Sequence, residues 1–95
     1  MAGELVRSLA GHDKGRVFCV TGADGPWLYL VDGKRRKLAA PKRKKKLHAE
    51  ALGGFEHPAL ARLSQGETVS DNEIRRALAA FRARQGGYDA CQKTT

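Results

Sequence analysis

The residues of this chain best suited to chemistry are the cationic side chains between positions 34 and 46. Nine of these thirteen residues are lysine or arginine, and none is acidic. Such a density of positive charge attracts phosphate groups and releases their counterions. The residue types therefore favour the binding of a polyanion over bond-making chemistry. The cations form two groups, Lys34, Arg35, Arg36 and Lys37 in the first and Lys42, Arg43, Lys44, Lys45 and Lys46 in the second.

Aromatic side chains accompany the basic segment. Trp27, Tyr29 and Phe18 lie on apolar stretches beside it, and aromatics interleaved with cations suit stacking on unpaired bases. A small barrel also needs aromatic filling, and we favour that core role for Trp27 or Phe18. Tyr29 is the better candidate for exposure if Leu28 and Leu30 point inward, an orientation that a one-residue change of register would reverse.

No set of residues has the spacing of a catalytic or metal centre. The three serines, Ser8, Ser64 and Ser70, lie near no Gly-x-Ser-x-Gly turn. The three histidines are scattered along the chain and are expected at the surface. Cys19 and Cys91 are 72 positions apart and match no metal spacing, and Cys19 is expected to pack as a small apolar residue. We therefore expect no enzymatic activity, metal or cofactor.

The charge of the chain is unevenly distributed. The net charge is +8, and residues 1–48 account for all of it, with twelve basic and four acidic residues against six of each in residues 49–95. Charge asymmetry of this kind indicates a polyanionic partner for the charged half. We expect no signal peptide or membrane span, because charged residues interrupt every apolar stretch, and we expect a cytoplasmic protein with reduced thiols.

The elements that position these residues begin with short strands joined by glycine turns. Runs of β-branched, aromatic and apolar residues predict strands at 4–10, 16–21 and 27–31, with a turn at 22–26. Asp32 and Gly33 form the dipeptide typical of a tight hairpin and predict that Lys34–Leu38 returns as a fourth strand. Alternation along that strand would present cations on both faces. This spacing of strands favours a small barrel.

Residues 41–54 are predicted to be a basic linker between the barrel at 1–40 and a helical appendage at 55–87. Pro41 ends the strand pattern. The five like charges from Lys42 to Lys46 repel one another, so we expect them to stay extended and adaptable. Gly53 and Gly54 are expected to form a hinge.

The helical appendage is predicted to contain two helices, which makes the fold mainly β with a C-terminal α part. Pro58 suits the first position of a short helix that Gly66 ends. Ser70 and Glu73 match the capping box that opens a second helix. We expect Gly86 to end that helix and residues 88–95 to form a mobile tail.

An apolar stripe at helical spacing runs along the second predicted helix. Its members are Ile74, Ala77, Leu78 and Phe81, and Val69 is placed to pack on Ile74 as a hydrophobic staple. We expect the stripe to pack on the barrel or on the short helix. The alternative is that Ile74, Leu78 and Phe81 dock on another protein, such as a ribosomal protein.

Residues 3–22 resemble a KOW motif, because a strand is followed by a Gly-x-Asp-Lys-Gly-Arg loop at 11–16 and then by a second strand. Residues 27–46 extend the resemblance through an apolar strand, a Val-Asp-Gly-Lys turn, a basic strand and a lysine-rich run. These features are similar to those of bacterial KOW-domain RNA-binding proteins akin to the "fourteen-e" large-subunit ribosomal protein of archaea and eukaryotes. Arg35 departs from that pattern, in which an apolar residue is common.

The resemblance implies an SH3-like barrel that binds ribosomal RNA within a ribonucleoprotein of translation. It also implies that the loop at 11–16 contacts RNA, with Lys14 and Arg16 on phosphates. Glycines at both ends of this loop would let the backbone turn tightly and approach a ligand. The predicted RNA ligands are His12, Lys14, Gly15, Arg16 and Tyr29, together with the two cationic groups Lys34–Lys37 and Lys42–Lys46.

Other interpretations of the basic barrel stay open at this point. The charge run would also serve solubility, or act as a nuclear localisation signal. KOW barrels of transcription elongation factors dock on polymerase or on ribosomal proteins, and a pure docking barrel does not need the basic run. A general nucleic-acid binder would accept duplex DNA as well as RNA.

Overall fold

The first half of the chain forms a five-stranded antiparallel sheet in the computed structural model, which describes the backbone of residues 2–94 and the side chains of residues 2–84. The strands are β1 Leu5–Ser8, β2 Val17–Asp24, β3 Trp27–Val31, β4 Lys42–Lys45 and β5 Ala49–Gly53. Their order across the sheet is β4, β3, β2, β1 and β5. A single 3-10 turn, Lys46–His48, joins β4 to β5 and lets β5 return to pair with β1.

Two helices follow the sheet, so the predicted class, mainly β with C-terminal helices, is confirmed. Helix α1 spans Pro58–Ser64, and helix α2 spans Asp71–Thr94. Helix α2 thus continues past Gly86, where the sequence pattern predicted its end. A glycine inside a helix costs only about 1 kcal/mol relative to alanine and need not stop it. The mobile tail predicted at 88–95 falls on residues whose side chains lie outside the described part.

The prediction of a fourth strand at Lys34–Leu38 is wrong, because these residues form a loop. The Asp32 carboxylate accepts hydrogen bonds from the amides of Lys34 and Arg36 at 2.9 and 2.8 Å. An aspartate that binds nearby backbone amides in this way stabilises a turn in place of a strand ladder. The far end of the loop is held by α2, since the amide of Leu38 donates to the Asp71 carboxylate at 2.7 Å.

Most of the segment predicted as a basic linker, residues 41–54, lies instead in strands β4 and β5 of the sheet. β4 pairs with β3 along its whole length, and β5 pairs with β1. Gly53 lies opposite Leu5 as the last residue of β5, so it belongs to the ladder and not to a free hinge. Like charges in β4 are tolerated because strand alternation sends them to opposite faces, where each pair meets different partners.

The predicted end of α1 and the predicted start of α2 are confirmed in detail. Gly66, at φ +82°, follows α1, and its amide and that of Glu67 bind carbonyls of the last turn in a Schellman arrangement. The capping box at α2 is present, since Ser70 and Glu73 each bind the other's backbone amide at 3.1 Å. An ion pair between Arg62 and Glu73 links the two helices.

The sheet separates two apolar clusters. One cluster lies between the sheet and the helices, and its buried members include Leu5, Cys19, Val31, Ile74 and Leu78. The other lies on the opposite, inner face and consists of Val6, Phe18, Val20, Leu28 and Leu30. The stripe of α2 therefore packs on the chain's own sheet, as predicted. No helix of the described part is long and apolar enough to cross a membrane.

Candidate nucleic-acid interface

The glycine-bracketed loop at 11–16 is anchored by a buried carboxylate. Asp13 accepts a hydrogen bond from the Ser8 hydroxyl at 2.7 Å and has the Lys44 ammonium 3.3 Å from Oδ1. The Lys42 ammonium lies 2.5 Å from Oδ2 and forms an ion pair with it. Lys44 also donates to the Ala10 carbonyl at 2.9 Å. Two lysines of β4 thus fasten the loop to the sheet.

The electrostatics of Asp13 favour its ionised form. Burial by itself raises the pKa of this carboxyl, but the contacts with Lys42, Ser8 and Lys44 outweigh burial and hold the pKa well below its usual range. The Lys44 side chain is only 9 % exposed, so it serves this internal cluster and is closed to a ligand. Lys42 keeps 23 % of its side chain exposed and can still face solvent.

A cleft of about 600 Å³ opens between the loop at 11–16, the loop that follows β3 and helix α2. Its cationic lining consists of Arg16, Lys34, Arg35, Arg75 and Arg82. A smaller depression shares Arg16 and Arg35 with it and adds His12, Arg36 and Lys42. We call this continuous surface the basic groove. The acids that line it, Asp13 and Asp32, are both engaged in internal contacts, so the groove presents mainly positive charge.

Arg75 and Arg82 are the residues of the groove that sequence reasoning missed. They come from the half of the chain whose net charge is zero, which concealed them. The signal that could have found them is their spacing, because residues seven apart on a helix lie on one face, and Ala79 between them leaves that face open. The Asn72 side chain orients Arg75 by accepting a hydrogen bond from Nη2 at 3.0 Å.

The predicted ligands fall into four locations. The basic groove contains His12, Gly15, Arg16, Lys34, Arg35, Arg36 and Lys42. The face of the sheet that the helices partly cover, which we call the outer face, carries Tyr29, Arg43 and Lys45. Lys44 is buried beneath the inner face. Lys14, Lys37 and Lys46 are exposed outside the lining of the groove. The predicted set is therefore not one site, since strand alternation divides the run at 42–46 between two faces.

Trp27 and Tyr29 lie on the outer face of β3, and Leu28 and Leu30 point to the inner cluster. The predicted exposure of Tyr29 is thus consistent with the observed orientation of its neighbours. The core role favoured for Trp27 or Phe18 holds for Phe18, which is 2 % exposed, and not for Trp27. The guanidinium of Arg43 lies 4.4 Å from the centre of the Trp27 ring.

No known protein family matches the chain, and no curated protein matches it either.

Proposed function

We propose that this protein binds RNA by holding its phosphate backbone in the basic groove, without catalysing a reaction. The observation that carries the proposal is that cations distant in sequence converge on one cleft. Cations from three separate segments, represented by Arg16, Arg35 and Arg75, line one cleft. A solvated charge run would need no such convergence, because solubility depends on net charge and not on where the charges meet.

The arginines of the groove are distinguished from other arginines of the chain by what surrounds them. Arg7 and Arg62 are paired with Glu50 and Glu73 at other places on the surface. In the groove, by contrast, the nearby carboxylate of Asp32 is used by two backbone amides. Arginine is well suited to phosphate because its planar guanidinium can donate two parallel hydrogen bonds to the oxygens.

The groove is built on fixed backbone. Asp13 ties the loop at 11–16 to β4, and Asp32 and Asp71 hold the two ends of the loop at 32–38. Holding the ligands in place before binding reduces the entropy that association costs. Contacts of this kind position a nucleic acid and carry little sequence information, so we expect binding with strong salt dependence and modest sequence preference.

Ribosomal RNA of the large subunit is the ligand we propose, in the cytoplasm. The support for this choice is the resemblance of residues 3–46 to KOW-domain RNA-binding proteins, together with the groove that the loop at 11–16 borders. A structured RNA also suits a groove that meets phosphates from several directions.

The sharpest test compares two double variants that each remove two arginines from α2. Arg75→Gln with Arg82→Gln removes two cations from the groove, whereas Arg76→Gln with Arg84→Gln removes two exposed cations of the same helix that do not line the cleft. Both double variants have the same net charge. Affinity for an rRNA fragment is measured by fluorescence anisotropy across a salt series.

We expect the groove variant to bind more weakly and to have a salt slope shallower by about 1.4–1.8, since each of the two lost phosphate contacts reduces the slope by about 0.7–0.9. The matched variant should retain most of the affinity of the wild type. Equal losses in the two variants would show that net charge and not the groove governs binding. Binding of the wild type that barely changes with salt would contradict the proposal itself.

Two further measurements define the ligand. Competition between the rRNA fragment and duplex DNA at equal phosphate concentration separates an RNA binder from a general nucleic-acid binder. Sedimentation of a cell lysate on a sucrose gradient shows whether the protein migrates with the large subunit at low salt and leaves it at high salt. Co-purification with RNA polymerase in place of ribosomal particles would contradict the ribosomal assignment.

A further inference from the structure

We propose that the outer face of β3 and β4 binds an unpaired nucleobase, with Trp27 as the platform on which the base stacks. The inference rests on the proposed function and adds the class of RNA, one that presents a single-stranded or looped-out nucleotide. The basic groove and this face meet at the edge of the sheet, because Lys42 lines the groove and Arg43, the next residue, faces the opposite side. We call the second surface the aromatic face.

The aromatic face is a regular product of strand pairing. Tyr29 lies opposite Arg43, and Trp27 lies opposite Lys45, so aromatic and cationic side chains alternate across the two strands. Cross-strand neighbours on one face have Cβ atoms about 5 Å apart, which brings each cation beside a ring. The same alternation sends Leu28 and Leu30 to the inner cluster. The core is therefore filled without Trp27.

The surroundings leave the Trp27 region open. The helices cover the other end of this face, where Leu5, Cys19 and Val31 are buried. Gly22 of β2 lies opposite Tyr29 and adds no side chain that could screen its ring. The result is two half-exposed aromatic rings on one face, covered only by exposed cationic side chains.

The charges of the aromatic face match a nucleotide. The Arg43 guanidinium is 4.4 Å and the Lys45 ammonium 5.6 Å from the centre of the Trp27 ring. A base that stacks on the indole carries its phosphate toward these cations, and both of these side chains are exposed and long enough to move aside. Stacking with flanking cations is the usual way in which proteins hold single strands without reading their sequence.

A purely structural role would also use these contacts, because a cation over an aromatic ring stabilises the pairing of β3 with β4. The two roles differ in what RNA does to the indole. Trp27 is the only tryptophan in the chain, so its fluorescence reports on this face alone. A base stacked on the ring quenches that emission, whereas an anion confined to the basic groove leaves it unchanged.

The experiment titrates the full chain with two ligands at low salt, a single-stranded oligoadenylate of about ten nucleotides and inorganic polyphosphate of similar charge. Binding is followed by calorimetry and Trp27 emission in parallel. We expect both ligands to bind and only the oligoadenylate to quench. Oligoadenylate binding without quenching would overturn the inference and leave the proposed function standing. Absence of RNA binding would overturn both.

Variants at Trp27 give a second readout. Trp27→Leu should weaken oligoadenylate binding by about tenfold or more, the range found when a stacking aromatic is removed, while polyphosphate affinity stays unchanged. Trp27→Phe keeps a ring and should retain most of the affinity. Unfolding curves of both variants establish that the sheet is intact. Equal weakening for the two ligands would contradict a stacking role.

Discussion

Lys44 points beneath the sheet and places its ammonium 3.3 Å from the carboxylate of Asp13, so one member of the basic run is an internal counterion. The residue beside it, Lys45, faces the other way and lies over the ring of Trp27. Neighbouring lysines of identical type therefore have different roles. Composition alone assigned them the same one.

Lys44→Gln and Lys45→Gln form a matched pair that separates these roles. Removing Lys44 leaves a mostly buried carboxylate with one cation fewer, and we expect a loss of about 2–3 kcal/mol, below the full cost of a broken buried pair because Lys42 remains. Lys45→Gln should cost less than about 1 kcal/mol, since an exposed cation–π contact contributes little. Urea unfolding curves measure both. Equal losses would mean that the Asp13 cluster does not stabilise the fold.

Asp13 should make stability fall in acid. Because folding lowers the pKa of this carboxyl, the unfolded chain takes up its proton first once the pH drops below the ordinary value of 3.8. The contribution of Asp13 is therefore complete above that pH and declines beneath it. The difference in unfolding free energy between the wild type and Asp13→Asn should be large at about pH 6 and smaller at about pH 2.5.

Ser8→Ala provides the control for that experiment. It removes one contact that lowers the pKa of Asp13, so the total loss of stability in acid should be smaller than in the wild type and should be complete at a higher pH. A difference between wild type and Asp13→Asn that stays constant across the pH range would show that the carboxylate is not held ionised by these partners.

Gly33 should tolerate alanine far less well than Gly25. Both glycines have positive φ, +77° and +57°, so both variants incur a backbone cost of about 1–2 kcal/mol. At Gly33 an added Cβ would also collide with the Asp71 carbonyl and the Arg75 backbone at the start of α2, whereas Gly25 faces open space. Thermal unfolding should show the larger drop for Gly33→Ala. Similar drops would indicate that the loop and α2 are not in close contact.

Cys19 should be almost inert in the folded protein. Burial raises the pKa of its thiol to about 12, and the thiolate is the form that reacts. In a Cys91→Ser variant, which leaves Cys19 as the reporter, alkylation by iodoacetamide should be slow and should accelerate as urea unfolds the sheet. Rapid alkylation without denaturant would show that the cluster under the helices opens readily.

Much of the fold could be predicted because its signals are local. The β-branched and apolar run at Trp27–Val31 predicts β3 with its observed bounds, and the reciprocal pairing of Ser70 with Glu73 predicts where α2 begins. These signals depend on residues a few positions apart. Local backbone preferences are sufficient to specify them.

The location of β4 could not be predicted in the same way. The charge density at 42–45 indicated repulsion, which is offset by contacts with residues far earlier in the chain, Asp13 on one face and Trp27 on the other. Asp32 and Gly33 are typical of a hairpin and predict a strand at Lys34–Leu38, whereas in the structure the Asp32 side chain binds the backbone amides of Lys34 and Arg36 and stabilises a loop. The sequence predicted the cations that the loops contribute to the groove. It did not predict Arg75 and Arg82, because they reach the groove only through the packing of α2.

The position of β4 at one end of the sheet has a consequence for how copies of this chain behave together. An end strand exposes backbone groups that can pair with the same strand of a second molecule, which is how many β proteins begin to aggregate. Here that strand reads Lys-Arg-Lys-Lys, so a second copy approaching edge to edge meets a row of like charges. The residues that favour a polyanion thus also disfavour the pairing of two copies through β4.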